Sequence, residues 1–316
     1  MTAVERIPLG AGSPEGVNSA YALPDEGVVI DPGSPTETTW NALRTGLDDA
    51  GLPVREVEHV LVSHWHMDHA GLACRLAEAA GATVHMHAED APLVGEYAAA
   101  RDRRLNRDAE TLRRWGVPDP VCAALVESDR PSPVPAEYAV RAHADGDLVA
   151  GVAFVHTPGH TGGHASFVYE GTLFLGDLLL PTYTPNVGGS DTRMDDPLAD
   201  YLQSIDRVNA EFDRGEPGHG TTVDIEAAVA SVREHHRDRA AKAFRAVADA
   251  GEATPWAVAR DLFGEMDGIH AKFGAGEAAA HLRRLAALGV VERRDGDPIR
   301  YAPRLDDYPS GVNLTP

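Results

Sequence analysis

The chain has 316 residues, long enough to bury a full hydrophobic core, and carries a formal net charge of −21. It contains no run of about 18 apolar residues, which excludes a transmembrane helix. So acidic a surface also repels nucleic acid over most of its extent at low ionic strength. Cys74 and Cys122 are the only cysteines, too few for a disulfide framework, and a reducing cytoplasm is expected. The first six residues lack the basic start and apolar core of a signal peptide. Lysine occurs only at 242 and 272, so a salt-adapted or GC-rich source is expected. Charge is uneven, with 35 acids against 15 bases before Glu226 and 14 against 13 from there on. That shift suggests a boundary.

The elements alternate at first. A turn-rich loop is expected over 10–16, a strand over 17–22, and a strand over 27–31 closed by Pro32-Gly33. Residues 36–50 carry a helical pattern that Gly51 ends. A β-branched run leads to Val62, a helix follows through 70–80, and 82–87 read as a strand. This order indicates an α/β layer arrangement. Two helices over 97–115 and 120–127 form an insert at about 90–130, either a cap beside a pocket or a surface excursion. Strands resume at 138–141, 148–156, 165–169 and 172–177, followed by a helix over 198–212. Helices over 225–250, 254–263 and 276–288 and a hairpin around Asp295-Gly296-Asp297 then suggest a small winged-helix domain. Thr254 and Pro255 cap and open the second of these helices. The tail from Pro303 is expected to be loosely held. The domains are placed at 1–232 and 233–316.

The chemistry concentrates after the strand ending at Val62, in His64-Trp65-His66-Met67-Asp68-His69. Side chains repeat every second residue on a strand, so His64 and His66 present imidazoles to one side. The bend at Met67 offers Asp68 and His69 in another direction, and one segment can supply two adjacent metal positions. Neutral imidazole with carboxylate suits zinc, and also iron or manganese. His160 in Thr157-Pro158-Gly159-His160-Thr161, Asp177 in Leu175-Gly176-Asp177 and His219 in Pro217-Gly218-His219-Gly220 sit on strand ends or glycine turns. Strand ends of a layered sheet share one edge, where functional groups collect.

With the strand ending at Asp31, these motifs resemble those of the metallo-β-lactamase superfamily over residues 7 to about 225. The resemblance implies a four-layer αββα sandwich. It implies that His64, His66 and His160 bind one metal, that Asp68, His69 and His219 bind a second, and that Asp177 bridges both. Two Zn2+ per chain would hold a hydroxide that attacks an ester, thioester, lactone or phosphodiester, with Asp68 as the catalytic group orienting it and taking its proton. Asp31 is expected to fix the turn or orient a ligand. Asp177 stands where common antibiotic-degrading lactamases carry cysteine, which argues against penicillin hydrolysis. His66 stands where flavodiiron proteins carry glutamate.

The C-terminal pattern is similar to that of the lactamase-B-like endoribonucleases. An endoribonuclease acting on single-stranded RNA therefore stands as an alternative, as does an iron-dependent persulfide dioxygenase-like oxidoreductase. The expected partner is a small-molecule or nucleic-acid substrate and no membrane, with a homodimer possible through the C-terminal unit. Tyr183, His235 and Arg239 are candidate substrate contacts. Arg283, Arg284, Arg293, Arg294 and Arg300 can meet phosphates, although Glu292, Asp295 and Asp297 interrupt any basic stripe. His85 and His87 form a second H-x-H without a following D-H and read as structural or as a pocket edge.

Overall fold

The computed structural model describes residues 4–13 and 16–316. In it, the apolar runs around Val29 and Leu61 form adjacent central strands with no exposed face. The first sheet consists of β1 (Glu5–Ser13), β2 (Gly16–Leu23), β3 (Val28–Ile30), β4 (His59–Val62), β5 (Thr83–His87) and β6 (Val140–His143), hydrogen-bonded in that order. The first three pair antiparallel, whereas β3 to β6 run parallel because longer, largely helical segments connect them. These helices are α1 (Glu37–Asp49), the single turn α2 (Met67–Ala70), α3 (Ala73–Ala80), and the insert helices α4 (Ala91–Gly95), α5 (Tyr97–Arg114) and α6 (Asp119–Ser128).

The second sheet is built from β7 (Leu148–Val149), β8 (Val152–His156), β9 (Ala165–Tyr169), β10 (Thr172–Gly176), β11 (Arg214–Pro217) and β12 (Val223–Asp224), with α7 (Pro197–Asn209) between β10 and β11. Strand alternation assigns the faces. Val60 and Val62 join Leu43, Leu47 and Leu76 beneath α1 and α3. Leu61 turns the other way, onto Phe154, Phe167 and Phe174 of the second sheet. Leu173 and Leu175 leave that sheet on its far side to meet Tyr201, Leu202 and Ile205 of α7. The layers are therefore αββα.

The chain continues as α8 (Ile225–Ala250), α9 (Pro255–Phe263), α10 (Gly268–Ala287) and the antiparallel pair β13 (Val291–Arg294) and β14 (Arg300–Pro303). Asp224 caps α8 by accepting from Ala227 N, and Thr254 caps α9 through Ala257 N. Residues 232 and 233 are consecutive within α8, so no linker separates the layers from the C-terminal unit. Leu175, Tyr201, Phe244, Val258 and Leu282 belong to one continuous apolar core. No helix among the described residues is long and apolar enough to cross a membrane.

Several local expectations change. Gly10 belongs to β1, whose pairing shifts register between Leu9 and Ser13. Residues 14 and 15 of the expected 10–16 loop lie outside the described residues. The helix expected from 276 begins at Gly268, because its first half is so rich in glycine and alanine that no apolar period marks it. The tail from Pro303 is anchored rather than loose. Leu314 is buried, and its carbonyl accepts from Arg284 Nε at 2.6 Å.

The insert packs on the C-terminal unit. Leu112, Val117, Cys122 and Leu125 meet Trp256, Ala271 and Ala275. Lys272 Nζ lies 2.8 Å from Asp108 Oδ2, with both side chains buried. Insert and α10 together close on the segment 186–195. Thr192 donates to Asp108 Oδ1 at 2.7 Å, and α10 presses its backbone at Gly276 against Gly188 and Gly189. A Cβ on Gly276 would stand 2.3 Å from Gly189 Cα and 2.4 Å from its nitrogen. Gly276→Ala is expected to lower unfolding stability by about 1–3 kcal/mol, overriding the gain in helix propensity. Chemical denaturation measures this, and unchanged or raised stability would show that α10 does not bear on the segment.

Candidate metal centre

Both sheets end at one edge, where backbone hydrogen bonds join them. Ala165 N donates to Ser63 O at 2.8 Å, Ser19 N to Gly218 O at 2.8 Å, and Asn18 and His219 form a bridge. This brings together His64, His66, Asp68 and His69 after β4, His160 after β8, Asp177 after β10 and His219 after β11. His66 Nδ1 lies 3.0 Å from both His64 Nε2 and His160 Nε2. His69 Nε2 lies 3.3 Å from His219 Nε2, 3.4 Å from Asp177 Oδ1 and 3.5 Å from Asp68 Oδ2. Asp177 Oδ2 reaches to 3.6 Å from His219 Nε2 and 3.8 Å from His160 Nε2, so this carboxylate spans both groups. Backbone must pass close to it. A Cβ on Gly218 would fall 2.5 Å from Asp177 Oδ1 and 2.6 Å from His69 Cε1.

The outer nitrogens decide what the inner ones can do. The Ser63 hydroxyl donates to Asp31 Oδ2 at 2.6 Å, so at 3.0 Å it accepts from His64 Nδ1. His69 Nδ1 faces Asp31 Oδ2 at 3.1 Å, and His160 Nδ1 faces the Asn186 carbonyl at 3.0 Å. Three imidazoles thus hold a proton outside and turn Nε2 inward, as metal-bound histidines do. Asp177 Oδ1 and His219 Nδ1 are buried without hydrogen-bond partners. Two atoms bound at about 2.0–2.1 Å to one cation at tetrahedral angles stand about 3.3–3.4 Å apart, close to the spacings here. The donor set fits one cation among His64, His66 and His160 and another among Asp68, His69 and His219.

Without a cation, protons must serve. Burial, with His160 beside it, pushes His66 down to about 3, and burial with His69 and His66 holds His64 well below the imidazole range. Burial opposes charge on His219 too, but hydrogen bonds to Asp177 and Asp68 outweigh it and raise this imidazole to about 10. His69 is likewise held well above its ordinary value, by Asp177 and Asp68 against burial. The centre attracts positive charge toward its carboxylate side.

Residues that carry no sequence motif hold this arrangement. Asp90 and Asp191, both buried, pin the 157–164 loop. Asp90 accepts from Thr161 Oγ1 at 2.7 Å and Gly163 N at 3.0 Å, and Asp191 Oδ2 accepts from Gly162 N at 3.0 Å. Arg193 pairs with both carboxylates and donates to Glu89 O at 2.6 Å. Asn186 Oδ1 accepts from Gly189 N and Ser190 N, and Ser190 Oγ donates to His160 O at 2.6 Å. Asn18 Nδ2 donates to the Asp68 carbonyl at 3.0 Å. His164, between Thr157 Oγ1 at 2.9 Å and Asp177 N at 3.0 Å, holds the backbone of Asp177. Proximity in space is the only signal that singles out Asp90, Asp191 and Arg193.

The other candidates lie elsewhere. Tyr183 is exposed and lines a cavity of about 450 Å³ with Pro181, Thr222 and Asp224, outside the seven converging residues. Arg239 sits on α8 with Nε 2.8 Å from Glu277 Oε1 and its guanidinium over Phe263, and His235 Nε2 is 3.6 Å from the same carboxylate. Glu277 thus already offsets their charge. His85 lies in a chain from His59 Nδ1 (3.1 Å) to His143 Nε2 (2.9 Å), with His143 3.5 Å from Asp147, while His87 stacks on His156. Each ring nitrogen of His85 has a partner in this chain, which is a packing role.

Removing Arg193 strands two buried carboxylates facing one loop. Arg193→Ala is expected to destabilise the fold by about 3–5 kcal/mol, read as a lowered denaturation midpoint. A change below about 1 kcal/mol, the scale of an exposed pair, would mean that solvent already screens the network.

Comparison with known proteins agrees with this geometry. The metallo-beta-lactamase superfamily profile matches residues 13–211. A metallo-beta-lactamase family protein of Thermus thermophilus superposes with a TM-score of 0.77 at 26% identity, covering 96% of this chain and 99% of that one. A probable metallo-hydrolase of Bacillus subtilis (strain 168) is 25% identical over 276 residues, 83% of this chain and 85% of its own length. A beta-lactamase-like protein 2 homolog of Drosophila melanogaster is 27% identical over 170 residues, 53% of this chain, and the match spans only 46% of the fly protein. With the profile covering well over half of its length and the fold carrying the motifs to one edge, the chain belongs to the metallo-beta-lactamase superfamily.

Proposed function

We propose that the chain is a dinuclear, zinc-dependent hydrolase acting on an ester, thioester, lactone or phosphodiester. The observation that carries this reading is the convergence of five imidazoles and two carboxylates, three of the imidazoles with Nε2 turned inward. His64, His66 and His160 would hold one cation, Asp68, His69 and His219 the other, and Asp177 would reach both. Imidazole and carboxylate without thiolate suit zinc, with iron or manganese as competitors. Two such cations supply Lewis acidity and a water whose pKa is lowered to about 7.

The chain's own residues supply the rest. Asp68 keeps 39% of its side chain accessible, so its carboxylate meets both centre and solvent. Burial works against its charge, but His69 and His219 hold it well below the usual carboxylate range. It is therefore ionised and placed to take the proton of an attacking water. Asn18 holds its backbone, and Asp31 keeps His69 in the tautomer that faces inward. The relative in Bacillus subtilis, named a probable metallo-hydrolase, supports the reaction class.

Metal analysis of the purified full chain is expected to give two equivalents per chain, mainly zinc, and chelation should abolish hydrolysis in a screen of thioesters, lactones, phosphodiesters and RNA. A single iron per chain with no hydrolytic activity would overturn the reading in favour of an oxidoreductase. Asp177→Ala should lose at least one metal and turnover while the far-ultraviolet circular dichroism stays native. Full activity in this variant would remove Asp177 from the centre.

A further inference from the structure

We infer that the cavity between α5, α10 and the β13–β14 hairpin is a binding site for a phosphate group, either free or borne by an organic molecule. This inference goes beyond the hydrolase reading and does not depend on which bond the metal centre cleaves. The cavity measures about 210 Å³, enough for an oxyanion and part of its carrier, since water occupies about 30 Å³ per molecule. Arg114 from α5, Arg283 from α10 and Arg293 from β13 all line it. In a chain of net charge −21, three arginines from three elements lining one cavity oppose the overall field.

Their charges are largely unspent. The sequence neighbours Arg113 and Arg284 are paired, with Asp119 and Asp196. Arg114 and Arg283 meet no carboxylate within 4.0 Å among the described residues. Arg293 contacts Asp295 at 3.0 Å, but that carboxylate is 85% exposed and such a pair contributes little, while the buried Arg293 Nε has no hydrogen-bond partner. Tyr301 also lines the cavity and is 2% exposed. Burial pushes its phenol upward, while the charges of Arg293 and Arg283 pull it back. Two carboxylates line the same cavity. Arg193 and Gly162 N occupy Asp191, which leaves the exposed Asp195 as the uncompensated acid against three cations.

The arrangement favours phosphate over carboxylate. One guanidinium fork satisfies a carboxylate, whereas a tetrahedral dianion can accept from three convergent donors. None of the seven residues of the metal centre lines this cavity. It lies beyond the segment that includes Gly188 and Asp191, the same segment through which Asn186 and Ser190 hold His160.

The test is titration calorimetry of the full, metal-loaded chain at low salt, with inorganic phosphate and with adenosine 5′-monophosphate. Phosphate can also bind a metal centre, so the same titrations are run on His219→Ala, Arg283→Gln and Arg114→Gln, with thermal melting to check folding. Saturable binding that survives His219→Ala and weakens about tenfold or more in Arg283→Gln is expected. Tighter binding of the nucleotide than of phosphate would assign the site to an esterified phosphate, and equal binding to the free ion. If Arg283→Gln does not fold, Arg114→Gln, altered on an exposed helical position, reads the same loss. Absence of saturable binding, or binding lost in His219→Ala but untouched in both arginine variants, would overturn the inference.

Discussion

The structure turns on one electrostatic constraint: inward-facing imidazole nitrogens and two carboxylates share a buried space in which their atoms stand 3.0–3.8 Å apart. Bare lone pairs at such distances repel, and buried carboxylates are costly without positive charge. A divalent cation resolves both problems at once. The outer hydrogen bonds of His64, His69 and His160 leave their inner nitrogens facing that space. Asp31 illustrates the economy of the arrangement, since its two oxygens serve Ser63 N, Ser63 Oγ and His69 Nδ1.

Holding those groups requires more chain than the two sheets. His160 is oriented by the Asn186 carbonyl, and Asn186 Nδ2 reaches Phe273 O on α10 at 3.3 Å. Glycines 188, 189 and 276 allow two backbones to touch there. The insert closes the other side of the segment through Asp108, which meets Thr192 and Lys272. The C-terminal unit and the insert are thus parts of the frame around the metal centre, and the shared core across α8 reflects this.

Charge follows the same local logic. The chain is strongly acidic overall, yet several of its acids are matched by particular partners: Asp90 and Asp191 by Arg193, Glu277 by Arg239, Asp196 by Arg284. The expected contact of Arg239 with an anionic substrate competes with Glu277, whereas Arg114 and Arg283 retain their charge at a cavity. Net charge by itself could not distinguish these cases, because it does not report which guanidiniums have neighbours.

The sequence alone determined the layered α/β arrangement through local periodicity, and it singled out the converging residues through their motifs, whose grouping the resemblance to the metallo-β-lactamase superfamily implied. His64 and His66 lie two apart on an extended segment, Asp68 and His69 follow a bend, and glycine turns flank His160 and His219. The runs around Val29 and Leu61 announced strands, and the structure buries both faces of each. Only the tertiary structure decided the rest. Asp90, Asp191 and Arg193 carry no pattern that links them, and their meeting depends on the packing of the 157–164 loop. The full length of α10 was hidden by glycine and alanine, which carry no apolar period yet permit the close approach to Gly189. The anchoring of the tail was hidden for a related reason. Whether a helix or terminus is free depends on the apolar surface it finds, and Leu314 and α8 find theirs in a core that reaches back to Leu173 and Leu175 of the second sheet.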